Sequence, residues 1–412
     1  MGRPCSLAAA LAAAALVTGC SAPATSPAPT GPGASSGPAA TTAATPAGGA
    51  STAGSPTGTP ASGPRTAPDG RPFVVNERAD LDEPWALEFL PGTDLLAITE
   101  RSGRLWLYGP DGMVEVTEGL PEVVDAGQGG LGDLVAAPTF AEDGTVLLSW
   151  VEAGQGGSGA AVGRATLVTE GSPRLEGLTV IWRQTPKVSG NGHFSHRLAF
   201  SPDGQYLFIS SGDRQKMEPA QDLSNTLGTI VRLTADGHPA PGNPFAADGS
   251  PADEIWSWGH RNPLGLAFDA DGRLWASEMG PQGGDELNLI APGMNYGWPK
   301  ASNGSHYGGG EIPDHTPGDG FEAPYVWWTP SVSPGSLMIY SGDAFPDWTG
   351  DAFIGALSGQ ALIRVDLDGG NATKADQWDM GQRIRDVAQG PDGSIWLVED
   401  TPGGRLLQLT PP

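Results

Sequence analysis

A chain of 412 residues with 47 acidic against 22 basic side chains carries a formal net charge of −25. That balance argues against nucleic-acid binding and for a soluble, extracytoplasmic surface. Its two cysteines, Cys5 and Cys20, exclude a disulfide framework and a cysteine-based zinc site once a leader carrying Cys5 is removed.

In chain order, residues 1–19 read as an export signal. Arg3 gives a weak positive start, Leu7 to Val17 an apolar run too short to span a bilayer, and Val17-Thr18-Gly19-Cys20 a small-residue cleavage site. Small residues directly before a cysteine are the pattern of a bacterial lipoprotein. Cleavage before Cys20 and lipidation of its thiol are therefore expected, with the protein exported and held on the outer face of the cell membrane only by that lipid. Residues 20–71 form the next segment. From Ser21 to Pro68 it is almost wholly Ala, Ser, Thr, Pro and Gly, with no aromatic residue and Arg65 as its one charge. Such a composition cannot bury enough apolar surface to offset ordering entropy, so a disordered tether is expected.

Residues 72–412 are long for one compact core, yet contain no second linker. A turn ending in Gly followed by an apolar run recurs as PGTDLLAITE (91–100), EDGTVLLSW (142–150), PDGQYLFIS (202–210), ADGRLWASE (270–278), WTGDAFIGAL (348–357) and PDGSIWLVE (391–399). Most copies follow another short apolar stretch, such as WALEF or LGLAF, which predicts strand, tight turn, strand. The spacing is uneven, helical periodicity is absent, and 62 glycines and 39 prolines punctuate the chain. Six such repeats predict an all-β, six-bladed β-propeller with variable loops.

Four stretches carry chemistry. GNGHFSHRLAF places His193 after a glycine-rich loop at the start of a predicted strand, where a neutral imidazole can serve as a general base; a structural histidine bonded to backbone is the simpler reading of that residue alone. His193 and His196 would face opposite sides of a strand, against a two-histidine metal site. GHRNP supplies Arg261, a permanent charge with a planar fork of donors, beside Asn262; a buried salt bridge of Arg261 with Asp285 is the structural alternative. GPQGGDE offers irregular-loop carbonyls and carboxylates suited to Ca2+. QRIRDV puts Arg383 and Arg385 on one face of a strand, where they repel unless an anion lies between them.

These motifs, with MNYGWP (294–299), make residues from about Phe73 to the C-terminus resemble the glucose/sorbosone dehydrogenase family, sugar dehydrogenases dependent on calcium and pyrroloquinoline quinone (PQQ). The resemblance independently implies a six-bladed propeller with its site at the channel mouth. It makes His193 the base and Arg261 its catalytic partner. It places Gln128, His193, Arg261, Asn262, Tyr307, Ser331, Arg383 and Arg385 on PQQ. The carbonyls of Gly280 and Pro281 fall on ligands of the cofactor-bound Ca2+, and Glu286 with the Tyr296 carbonyl on a second Ca2+ position. The implied reaction oxidises an aldose to a lactone: Ca2+ and Arg261 polarise the quinone, His193 takes the hydroxyl proton, and electrons pass on to an unidentified acceptor.

Three positions depart from the family pattern. Ser358 replaces a cofactor-contacting lysine, and Met279 stands where Gln or His is common. Gly192 stands where some members have an aspartate that orients the base, so His193 needs another partner, such as a backbone carbonyl. The alternative reading is a non-catalytic, lipid-anchored propeller that binds glycans or proteins and has lost PQQ. A third is a calcium-dependent lactonase or phosphotriesterase, which needs several carboxylate and asparagine side chains around one Ca2+.

Overall fold

The computed structural model describes residues 66–412; the expected signal, Cys20 and the tether up to residue 65 lie outside the described residues. Among the described residues no helix is long and apolar enough to cross a membrane. Six four-stranded antiparallel sheets form a β-propeller. Each recurrent sequence segment supplies the second strand of one blade. In blades I to VI these strands are Leu96–Glu100, Thr145–Gly154, Tyr206–Ser211, Leu274–Glu278, Ala352–Ala356 and Ile395–Glu399. Neighbouring blades cover both of their faces, so they read as continuous apolar runs rather than alternating ones.

The innermost strands are Pro84–Phe89, Leu131–Ala136, Ser195–Phe200, Pro263–Phe268, Met338–Ile339 and Ile384–Gln389, packed in ring order around a central channel. Six apolar cores lie between the blades. Leu105 meets Leu148 between blades I and II, Val162 meets Ile209 between II and III, and Ile230 meets Ala276 between III and IV. Trp275 meets Ile354 between IV and V, Phe353 meets Leu397 between V and VI, and Val398 meets Ile98 between VI and I. Closure comes from the first strand of the described residues. Val74–Asp82 adds the outer strand of blade VI, pairing with Pro402–Thr410 in the register Val75↔Leu409.

One side chain ties the ring together across the channel. Arg197, on the innermost strand of blade III, lies 3.3 Å from Asp133 of blade II and 3.0 Å from Asp386 of blade VI. It donates to the carbonyls of Leu264 (2.7 Å) in blade IV and Gly335 (3.0 Å) at the entrance to blade V. Its guanidinium carbon is 4.0 Å from the centre of the Trp85 ring in blade I. Asp386, next to Arg385 in the chain, is thus committed to Arg197. The channel holds two cavities, one of about 300 Å³ where the innermost strands begin and one of about 390 Å³ where they end.

Candidate active site

The cavity at the beginning of the innermost strands collects most of the residues matched to PQQ from sequence. Gln128, Asn262, Tyr307, Arg383 and Arg385 line it. His193 and Arg261 adjoin it through bonds to lining residues: the Gln128 side-chain Oε1 accepts from the His193 amide at 2.6 Å, and Arg261 donates to the Met279 carbonyl at 2.9 Å and the Tyr307 hydroxyl at 3.3 Å. Three arginines and one carboxylate, Asp400, line a pocket in a protein of strongly negative charge. That local inversion suits an anionic ligand.

One geometric rule builds this mouth. The residue leading into an innermost strand and the residue leaving the second strand meet at the open end of the hairpin. In blade I, Glu83 meets Arg101 at 3.3 Å. In blade III, His193 meets Asp213. In blade IV the Arg261 amide donates to Glu278 at 3.1 Å. In blade VI, Arg383 and Arg385 meet Asp400. Polar residues at hairpin ends escape the inter-blade cores and converge on the axis.

His193 Nδ1 lies 2.7 Å from Asp213 Oδ1. Asp213 is fully buried and also accepts from Trp298 Nε1 (2.8 Å) and the amides of Gln215 (2.8 Å) and Met217 (3.1 Å), so it is an acceptor held in place. With Nδ1–H donated to Asp213, the lone pair rests on Nε2. Burial pulls the His193 pKa below the usual imidazole value, Asp213 opposes, and the charge of Arg261 adds to the lowering. Burial alone would raise Asp213, but hydrogen bonding and charge from His193 and the Trp298 bond outweigh it and hold the carboxyl low. The expected backbone-carbonyl partner for His193 is therefore replaced by a carboxylate that the sequence reading missed. Its Ser-Gly-Asp at a strand end was the available signal. His196 bonds elsewhere, to Ser149 Oγ at 2.9 Å, with its ring stacked on Trp85.

Arg261 does not pair with Asp285. Asp285 is taken by the amides of Gly280 (2.8 Å), Val332 (2.6 Å) and Ser333 (2.7 Å) and by the Ser331 hydroxyl (2.6 Å). The Nε of Arg261 is buried with no partner among the described residues. Asn262 accepts from Ser195 Oγ at 3.0 Å. Arg383 and Arg385 do share an anion, and it is internal: Asp400 accepts from Arg383 Nε at 2.8 Å and Arg385 Nη2 at 2.7 Å. Burial would raise Asp400, but the charges of Arg385 and Arg383 hold it low. Ser331 is engaged by Asp285, while its neighbour Ser333 borders the cavity and meets Ser358 Oγ at 2.8 Å.

The residues matched to calcium occupy two places. The loop at Gly280 is tight: a Cβ there would fall 2.2 Å from the Gly284 carbonyl oxygen. Glu286 is buried opposite Glu278 in the strand register, and burial and the Glu278 charge push its carboxyl well up. Asn288 donates to Glu286 at 3.1 Å, but its own Oδ1 is buried without a donor. Tyr296 stacks on His260 at 4.6 Å. Two buried carboxyls beside an orphaned amide oxygen are a donor set that a hard cation satisfies. Among the described residues no group of three or more His, Cys, Asp or Glu side chains is placed to hold a metal, the arrangement a lactonase centre calls for.

A family model described as Glucose / Sorbosone dehydrogenase matches residues 81–408. Aldose sugar dehydrogenase YliI of Escherichia coli (strain K12) is 41% identical over 339 residues, covering 80% of this chain and 91% of that protein. A crystal structure of glucose dehydrogenase superposes with a TM-score of 0.78 at 43% identity, covering 81% of this chain and 99% of that one. The PQQ-bound form of Aldose Sugar Dehydrogenase from Streptomyces coelicolor has a TM-score of 0.68 at 29% identity, covering 82% and 98%.

Proposed function

The chain belongs to the glucose/sorbosone dehydrogenase family of oxidoreductases, and from that premise we propose that it oxidises aldose sugars at the anomeric carbon to lactones, using PQQ and Ca2+. The observation that carries the reading is the meeting, at one channel mouth, of an imidazole with a fixed tautomer, a buried arginine with a free donor, and a paired-arginine cradle.

The residues fit an anionic planar cofactor. Arg385 and Arg383 would hold its carboxylates, Arg261 Nε would gain the partner it lacks, and Gln128, Asn262 and Tyr307 would border it. The carbonyls of Gly280 and Pro281 would bind the Ca2+ that accompanies it, and Glu286 with the Tyr296 carbonyl a second Ca2+. When bound, PQQ supplies the hydride acceptor and Ca2+ the Lewis acid that polarises it. His193 Nε2 takes the proton of the anomeric hydroxyl, and Asp213 fixes the tautomer that leaves the lone pair on that nitrogen and stabilises the charge that develops on the ring. Arg261 holds a fixed positive charge where negative charge grows. Burial excludes water from the imidazole, which keeps it neutral at physiological pH.

Export, lipid attachment at Cys20 and a tether up to residue 71 complete the proposal, with the sugar as substrate and a separate electron acceptor beyond it. The test is to purify the protein without quinone, titrate it with PQQ in Ca2+ or in chelator, and assay dye reduction with several aldoses. Calcium-dependent binding with sugar-driven reduction supports the reading. No binding at high micromolar PQQ overturns it and leaves the non-catalytic propeller, for which the loss of lysine at Ser358 is the one supporting feature.

A further inference from the structure

We propose that Arg214 is a positioning residue for the proposed base, clamping the glycine-rich loop that presents His193 to the cavity. The inference rests on the reading of His193 as proton acceptor. The loop between Arg183, which ends blade II, and Ser195, which begins blade III, has no strand of its own. It includes Gly190 in left-handed backbone and Gly192; main-chain pairing of Val188 with Ser158 and bonds of Asn191 and His193 to Gln128 anchor it in part, and the two glycines offer no side chain to hold the turn between them.

Arg214 adds the ties at the glycines themselves. It is fully buried, and its side-chain hydrogen bonds all go to main-chain carbonyls. Nε donates to Gly192 at 3.0 Å, Nη2 donates to Gly190, and Nη1 reaches across to Ser158 of blade II at 2.7 Å. The guanidinium carbon lies 3.7 Å from the centre of the Phe194 ring, immediately after His193. Its own amide donates to the His193 carbonyl at 3.2 Å. One arginine therefore holds the loop at residues 190, 192, 193 and 194 and fastens it to the neighbouring blade.

The arrangement is expensive in a way that ordinary loop packing is not. A charged group is desolvated against carbonyl dipoles, and burial draws its pKa down to about 10 against the opposing charge of Asp213. Arg214 also sits at φ 54°, backbone that side-chain-bearing residues seldom adopt. Strain of this kind persists where the surroundings over-determine it. Here the consequence is that consecutive residues grip the base from two sides: Asp213 holds the imidazole, and Arg214 holds the chain that bears it.

The test uses the full chain with Arg214→Lys, which keeps the charge but cannot span three carbonyls, and Arg214→Gln, which removes the charge. Carbethoxylation of His193 is followed by peptide mass spectrometry across pH without quinone, with buried His260 as internal control. Both variants should label at His193 roughly tenfold faster than the wild type while His260 is unchanged, as local opening requires. The pH midpoint should move up towards about 6.5, the ordinary imidazole value. With PQQ, kcat should fall about 10- to 100-fold with little change in KM, as displacement of a reacting group predicts. Equal acceleration at His193 and His260 would mean general loosening and overturn the inference; no acceleration at His193 would also overturn it. A wild-type protein that reduces no dye with PQQ would sink the oxidation reading instead, and the labelling would still decide the clamp.

Discussion

Asp213 Oδ1 receives the Nδ1 proton of His193 at 2.7 Å from 20 residues further along the chain, across the open end of the first hairpin of blade III. The carboxylate fixes which ring nitrogen is basic. Replacing it with Asn keeps the shape but lets an amide donate to the ring and favour the wrong tautomer. Asp213→Asn should lower kcat by about 10⁴-fold, the scale such a tautomer change reaches in a triad, and leave PQQ affinity nearly intact. The sign of the pH effect follows from the opposing influences on His193. Burial and Arg261 lower its pKa, and Asp213 raises it, so loss of Asp213 lowers it further. The acid limb of the residual kcat/KM profile should therefore move to lower pH; an upward move would show that Asp213 does not act on the ring.

The two cradle arginines should contribute unequally. Arg385 is largely buried, whereas the Arg383 side chain is 42% exposed and screened by water. Both share Asp400, so each replacement leaves the other still paired. Removing a charge-assisted contact costs about 1.5–3 kcal/mol. Arg385→Met should accordingly weaken PQQ binding by one to two orders of magnitude and Arg383→Met by clearly less, read by fluorescence titration in Ca2+. Equal effects would mean that burial does not set the strength of this cradle.

The parts legible in sequence share a physical origin. The second strands are buried on both faces, so all six read as apolar runs after a turn. The outer strands carry no such mark: Asn371–Asp379 alternates exposed and half-buried polar residues, and the closing strand Val74–Asp82 is mostly charged or half-exposed. Its partner lies more than three hundred residues away, which no local pattern encodes. At the site, Arg383 and Arg385 declared a missing anion by their spacing, but Asp400 comes only after the next strand has returned to the same mouth. His193, Arg261 and their partners follow the same hairpin geometry, so each motif showed one half of a pair. Arg214 was invisible for a different reason: its partners are main-chain carbonyls, which leave no signature in side-chain type.

Ser358 should be the position where binding can be improved. Its hydroxyl meets Ser333, a cavity-lining residue, and donates to the Ser331 carbonyl at 3.3 Å from an exposed place. A lysine there has a short path to the pocket and loses no buried bond. Ser358→Lys should tighten PQQ binding roughly tenfold, the low end of a charge-assisted hydrogen bond. Unchanged affinity in the same titration would show that the 357–358 turn lies too far from the cofactor for a cation to matter.

The far cavity of the channel makes a prediction about stability and pH. Glu88 lines it with Asp133 and Asp386, and Arg197 is the one cation among them. Burial, supplemented by Asp133 and Asp386, pushes Glu88 up to about 8, while the Ala136 amide pulls the other way. Asp133 is raised to about 6, by burial first and by Asp386, against Arg197. The walls from blades IV and V, Leu266 to Phe268 and Leu337 to Ile339, bring no titratable group. Both carboxyls have folded pKa values above the unfolded ones, so the native state binds more protons. Their stabilisation is complete below about pH 4 and is lost as pH rises through about 6 and then about 8. Tm should fall between pH 5 and 8.5, and Glu88→Gln should flatten that slope, gaining roughly 2–4 °C at pH 8. An unchanged slope would show that Glu88 is ionised in the folded protein.

The same cluster shows what Arg197 does for the ring. Borne by blade III, its guanidinium touches the other five through Asp133, Asp386, two carbonyls and the Trp85 ring. An apolar replacement removes the only cation facing Asp133 and Asp386 and strands two buried carboxylates. Losing one partner of a buried ion pair costs about 3–5 kcal/mol, more than most single contacts in a propeller contribute. Arg197→Met should thus lower the unfolding free energy by about that much in denaturant titration at pH 7.5, with a smaller loss at pH 5 where Asp133 can take up a proton instead. If the loss were the same at both pH values, the penalty would come from Trp85 packing and the carbonyl bonds, and the ring would be held by shape rather than by charge.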